Sequence, residues 1–72
     1  MGNTTTVLYK GRPFGSLHNR GAVTLMRRAD ERHYCGDEST AKQLVSLAVR
    51  MEAGLLTSAE AFDAADRLSP AP

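Results

Sequence analysis

His18-Asn19-Arg20-Gly21-Ala22-Val23-Thr24-Leu25-Met26-Arg27-Arg28-Ala29-Asp30-Glu31-Arg32-His33-Tyr34-Cys35-Gly36 is the stretch on which any reading of this chain turns. His18 to Gly21 reads as a turn, because Asn and Gly tolerate backbone conformations that other residues avoid. Ala22 to Arg28 then reads as a strand, with Val23 and Leu25 on one face and Thr24 and Met26 on the other. Ala29-Asp30-Glu31 is expected to be a hairpin loop. His33-Tyr34-Cys35 would be the partner strand, stopped by Gly36.

Working upstream, Thr4 to Tyr9 is rich in β-branched and aromatic residues. Alternation places Thr5, Val7 and Tyr9 on one face and Thr6 and Leu8 on the other. Lys10-Gly11-Arg12-Pro13 ends that strand, and Phe14 to Leu17 is a short returning one. Residues 4–36 are thus expected to form an antiparallel meander of three or four strands with one face covered.

Downstream, Ala41, Leu44, Leu47, Ala48, Met51 and Leu55 follow the three-and-four spacing of a helix, widened by Val45 and Val49. Lys42, Gln43, Ser46 and Arg50 fall on the opposite side. Thr40 to Gln43 has capping-box spacing, and Asp37 and Glu38 suit the positive end of the helix dipole. Gly54 stands where a left-handed cap is wanted. Thr57-Ser58-Ala59-Glu60 is a full capping box that opens a second helix through Leu68, with Ala59, Phe62, Ala65 and Leu68 as its buried face. Pro70 stops it, and 69–72 reads as a flexible tail. The fold class expected is α+β: one domain over 1–72, a small antiparallel β-sheet followed by a two-helix hairpin (37–68) packed on one face.

Seventy-two residues leave room for one core, since a chain of this length buries only about 60% of the surface its unfolded form exposes. With 42% hydrophobic and 24% charged residues the chain is ordinary for a globular protein. It has no Trp, two Tyr and two Phe, so Leu, Val, Met and Ala must make the core. The single Cys35 forms no internal disulfide and points to a reducing, cytoplasmic compartment. No secretory or membrane-spanning segment is read from the sequence. Gly2 with Thr6 fits a loose N-myristoylation pattern, but three short polar positions satisfy that pattern easily, and the approach to a strand explains the same residues.

Net charge is +1, unevenly spread. Residues 1–36 hold six cations (Lys10, Arg12, Arg20, Arg27, Arg28 and Arg32) against Asp30 and Glu31, a balance of +4. Residues 37–72 hold Lys42, Arg50 and Arg67 against six acids (Asp37, Glu38, Glu52, Glu60, Asp63 and Asp66), a balance of −3. Opposite charge on the two halves is a hint about partners.

On a strand, His33, Cys35 and Asp37 would share one face and, with His18, could in principle ligate zinc. Structural zinc normally uses paired cysteines or histidines at tight spacing, so no metal and no cofactor is expected. A Cys35 nucleophile served by His33 or His18 would need a third, orienting group that the sequence does not show, and no catalytic motif accompanies it, so no enzyme is expected. Arg27, Arg28, Arg32 and His33 would crowd one hairpin tip. That tip could grip phosphates while Tyr9, Phe14 or Tyr34 stack bases, or it could meet carboxylates on a protein, or simply be solvated. The acids of the helical half, Glu60 and Asp63 among them, could dock on a basic groove.

The function expected is a small non-enzymatic protein-binding module that inhibits or adapts a larger protein or nucleoprotein complex. Its candidate contact residues are Lys10, Arg12, Arg20, Arg27, Arg28, Arg32, Glu60 and Asp63. Small stand-alone proteins of this kind occur among phage gene products, including anti-CRISPR inhibitors of host defence. The alternative is a nucleic-acid-binding accessory or regulatory protein using a basic β-hairpin. A homodimer is a third expectation, prompted by the thin core, and no membrane partner is expected.

Overall fold

A computed structural model describes residues 3–68. Gly2, and the tail from Ser69 with Pro70, lie outside the described residues, as do the modification pattern and helix stop read there. The elements run β1 (Thr5–Tyr9), β2 (Arg12–Leu17), α1 (Arg20–Tyr34), α2 (Glu38–Glu52) and α3 (Ser58–Leu68). The chain is α+β, with a two-stranded antiparallel sheet and three helices where three or four strands and two helices were expected.

The correction falls on the stretch from His18 to Gly36. Ala22 to Arg28, expected as a strand, Ala29 to Glu31, expected as a loop, and His33 and Tyr34 of the expected return strand are all parts of α1. Ala22, Val23, Leu25, Met26 and Ala29 are buried in α1, a set that a helix of 3.6 residues per turn gathers on one side and a strand would split between two. Met26 and Ala22 break the strand alternation for that reason. Ala29-Asp30-Glu31 also lacks the Gly that tight hairpin turns favour at positive φ. Asn19, read as part of a turn, is the N-cap: its Oδ1 accepts from the N–H of Gly21 (2.8 Å) and of Ala22 (3.2 Å).

The α1–α2 junction is only Cys35-Gly36-Asp37. Gly36 takes φ +86°, and the N–H of Gly36 bonds His33 O (3.0 Å) while that of Asp37 bonds Arg32 O (2.8 Å), the paired bonds of a Schellman cap. Asp37 then caps α2, its carboxylate accepting from Thr40 N at 3.2 Å. Of Asp37, Ser39 and Thr40, the entry signals in the sequence, Asp37 is the cap, and α2 starts one turn before the expected Ala41. It ends at Glu52, short of the expected Leu55, in a second Schellman cap: Gly54 at φ +78°, Gly54 N to Met51 O (3.0 Å) and Leu55 N to Arg50 O (2.8 Å). The capping box of α3 forms as read from the sequence, Glu60 N to Thr57 Oγ1 at 3.1 Å and Thr57 N to Glu60 Oε1 at 3.0 Å.

α1 is the middle of the molecule, with the hairpin (chiefly β1) on one side, α2 on another and α3 leaning on α2. Leu25, Met26, Leu44 and Met51 are the largest fully buried side chains, and Val7 and Leu17 bring the sheet into the same core. Ala41, Leu44, Leu47, Ala48 and Met51 are buried as their spacing predicts, whereas Leu55 and Val49 are exposed. In α3 it is Ala61 and Ala65 that are buried, while Ala59, expected inside, is exposed. Gly21 allows a close approach between elements: a Cβ there would lie against Met51 Cε and 3.1 Å from Phe62 Cε2.

Candidate partner-binding surface

Two residues make the hairpin turn, Lys10 (φ +58°) and Gly11 (φ +77°), the positive pair of a type I′ turn that matches the twist of the flanking strands. Lysine is uncommon at positive φ, and here it is held from three sides. Its N–H donates to Asp30 Oδ1 on α1 (2.9 Å), its Nζ reaches Glu38 Oε2 on α2 (3.4 Å), and the same Nζ lies 5.5 Å from the centre of the Tyr9 ring. The hairpin tip is thereby fastened beside the C-terminal end of α1.

Aromatic side chains collect at that fastening. The Tyr9 ring meets Phe14 edge-on at 6.4 Å and His33 at 5.9 Å, and His33 meets Tyr34 at 4.9 Å. Nδ1 of His33 bonds Glu38 Oε1, which holds the Glu38 carboxyl below its usual range, with Lys10 adding to the effect. The Tyr9 hydroxyl is buried and has no hydrogen-bond partner among the described residues. Tyr34, at 66% exposed, and Phe14, at 40%, face solvent beside the exposed Lys10 and Arg12. Rigid, amphipathic aromatics next to an arginine are the composition enriched in binding hot spots.

The structure does not form the expected hairpin tip of Arg27, Arg28, Arg32 and His33, because all four lie on α1. Successive positions on a helix are 100° apart, so Arg27 looks towards β1 and Arg28 towards α3, where it reaches Asp66 (3.4 Å) and stands 5.4 Å over the Phe62 ring. Arg32 lies in the last turn of α1 near Asp37, whose carboxyl is lowered first by its bonds to Thr40 and then by that charge. Arg20 begins α1, about 21 Å of helix from its other end. Glu60 is engaged in its capping box, which lowers its pKa, and Asp63 pairs with Arg67 at 3.0 Å. Of the eight contact residues expected from sequence, only Lys10 and Arg12 sit with the aromatic group.

His18, His33, Cys35 and Asp37 do not share a strand face. His18 lies at the opposite end of α1 from His33 and bonds Glu52 through Nδ1 (2.9 Å). Cys35 is the exposed C-cap of α1, not a strand residue, and makes no hydrogen bond to either histidine among the described residues. Among those residues no three His, Cys, Asp or Glu side chains are placed to hold a metal ion, and no helix is long and apolar enough to cross a membrane.

Two of the surface grooves among the described residues lie against α1 or α2. One of about 440 Å³ separates α2 from α3, with Leu47, Ala64 and Leu68 between Arg50, Asp63 and Arg67. The other, about 420 Å³, lies between β1 and α1 and is lined by Thr6, Val7, Leu8, Arg27, Asp30 and Glu31. Sequence reasoning missed the second groove because it depends on α1 being a helix. Compared with known proteins, the chain matches no family model, no curated protein and no solved structure.

Proposed function

We propose that this protein is a non-enzymatic binding module for a larger protein, and that it docks through the aromatic end formed by Tyr9, Lys10, Arg12, Phe14 and Tyr34. One observation carries the reading. Three of the chain's four aromatic side chains gather where the hairpin tip meets α1, two of them substantially exposed, beside a turn residue, Lys10, whose backbone is held by Asp30 and whose side chain is held by Glu38. Exposed aromatics lose little entropy on docking when they are already held in place. Inhibition or adaptation of a larger protein or nucleoprotein complex, the role that phage-encoded anti-CRISPR proteins perform, is the form of this function to test first. The same surface suits protein better than nucleic acid, since Lys10 is already paired with Glu38 and only Arg12 beside it has no ion pair among the described residues, whereas phosphate binding draws on several unpaired cations.

The test is affinity capture from nuclease-treated lysate with the natural protein and with a Phe14→Ala, Tyr34→Ala double variant. A stoichiometric protein partner held by the first and lost by the second supports the proposal. Equal capture by both, or a complex that vanishes with nuclease, rejects it.

A further inference from the structure

The two edges of the sheet are not alike. Tyr9 and Arg12 flank the two-residue turn, so they form a hydrogen-bonded pair. The next pair, Leu8 with Pro13, is then non-bonded, and the N–H and C=O of Leu8 point away from β2. Backbone direction alternates along a strand, so Thr6 and Lys10 point the same way. The N–H of Lys10 is met by Asp30 of α1, which shows that this edge of β1 faces the groove beside the helix. The amides of Thr6 and Leu8 find no partner among the described residues. The opposite edge is blunted, because Pro13 has no N–H and the pairing slips between Val7 and Leu8, leaving Phe14 as the extra residue of a bulge. Proline and bulges are the usual defences of a sheet edge, and here only one of two edges carries them.

We infer that β1 accepts an extended segment of the partner protein as a third, antiparallel strand, laid in the groove between β1 and α1. This rests on the protein-binding reading and specifies the partner's chemistry. Arg27 and Glu31 line the groove one helical turn apart, about 6 Å along the axis, and neither makes an ion pair among the described residues. Alternate residues of a strand are spaced by nearly the same distance, about 6.7 Å. Asp30 bonds at the Lys10 end of β1, so Glu31 lies towards Leu8 and Arg27 towards Thr6. An antiparallel guest therefore presents a base and then, two residues later, an acid. A second copy of the chain fits this edge poorly. Its own α1 lies chiefly under its β1, and pairing the two strands about 4.8 Å apart would drive together two helices that need 8–10 Å between axes.

The probe is an end-capped peptide, Thr-Val-Lys-Val-Asp-Val-Thr, titrated into the isotope-labelled protein and followed by amide exchange and chemical shifts. In the free monomer the Thr6 and Leu8 amides exchange as open ones. With peptide both become protected by about tenfold or more, while Ser16 does not change. The peptide with Asp and Lys interchanged binds about tenfold more weakly, and an Arg27→Glu, Glu31→Arg double variant reverses that preference, as expected for two exposed ion pairs. Protection of Thr6 and Leu8 without peptide overturns the inference, whether constant or growing with protein concentration as a β1-to-β1 dimer requires. Shifts confined to Tyr9, Phe14 and Tyr34 also overturn it, but leave the protein-binding proposal standing. Loss of partner capture in the aromatic double variant together with an unoccupied β1 edge separates the two in the same way.

Discussion

The carboxylate of Glu52, the last residue of α2, accepts the backbone N–H of Asn19, the residue that caps α1, at 2.8 Å. It also accepts the N–H of His18 on both oxygens at 2.9 Å. α1 has no acidic residue in its own first turn, so one helix supplies the negative charge that the start of another wants. The bonds from Asn19 and then His18 lower the Glu52 pKa from 4.5 to about 2.

A depressed carboxylate pKa stabilises the fold where the unfolded chain has already lost its proton. The Glu52 contribution is full above pH 4.5 and disappears as pH falls towards about 2. Glu52→Gln should flatten that part of the acid-unfolding profile measured by circular dichroism. A variant that keeps the natural slope between those values would show that the bonds do not form in solution.

Gly21→Val should cost about 1–3 kcal/mol, because its branched side chain would occupy the space held by Met51 Cε and Phe62. Gly21→Ala should cost less, since the methionine end can swing away. Urea unfolding of the two variants orders them, and equal midpoints would contradict the close approach.

Leu44→Ala empties a site among fully buried neighbours. The expected loss is about 2–5 kcal/mol, a large share of what a small domain has to lose, so the variant should unfold at much lower denaturant concentration than the natural protein.

Thr57→Ala removes the hydroxyl of the α3 capping box and should cost about 0.5–2 kcal/mol. Tyr34→Ala, at an exposed position, should move stability by no more than about 0.5 kcal/mol while weakening partner capture. Paired melting and binding measurements on both variants separate the fold from the surface.

β1, α2 and α3 could be read from the chain because their signals agree with one another. Ala41, Leu44, Leu47, Ala48 and Met51 keep one period, Gly54 sits at a cap, and Thr57 with Glu60 writes out a box that the structure makes. α1 could not be read because Val23, Thr24 and Leu25 imitate a strand over three residues. Only the longer set from Ala22 to Ala29, with Asn19 before it, shows the helical period. That one substitution of period displaced most of the site as well. Arg27 and Arg28 are neighbours at a hairpin tip in one reading and point to different elements in the other. Tyr9, Phe14 and Tyr34 were legible as candidates for stacking, but that they gather at one place follows from the tether of Lys10 to Asp30, which no local pattern encodes.

Asp37 closes α1 through its amide and opens α2 through its carboxylate, so the elbow between the two helices contains no slack. Fraying of either end breaks bonds belonging to both, and the last turn of α1 and the first of α2 should exchange their amide protons with one shared opening energy. An inserted residue at Gly36 would rotate α2 against α1 and uncouple Glu38 from Lys10 and His33. The aromatic end would then lose its alignment long before the core lost its packing.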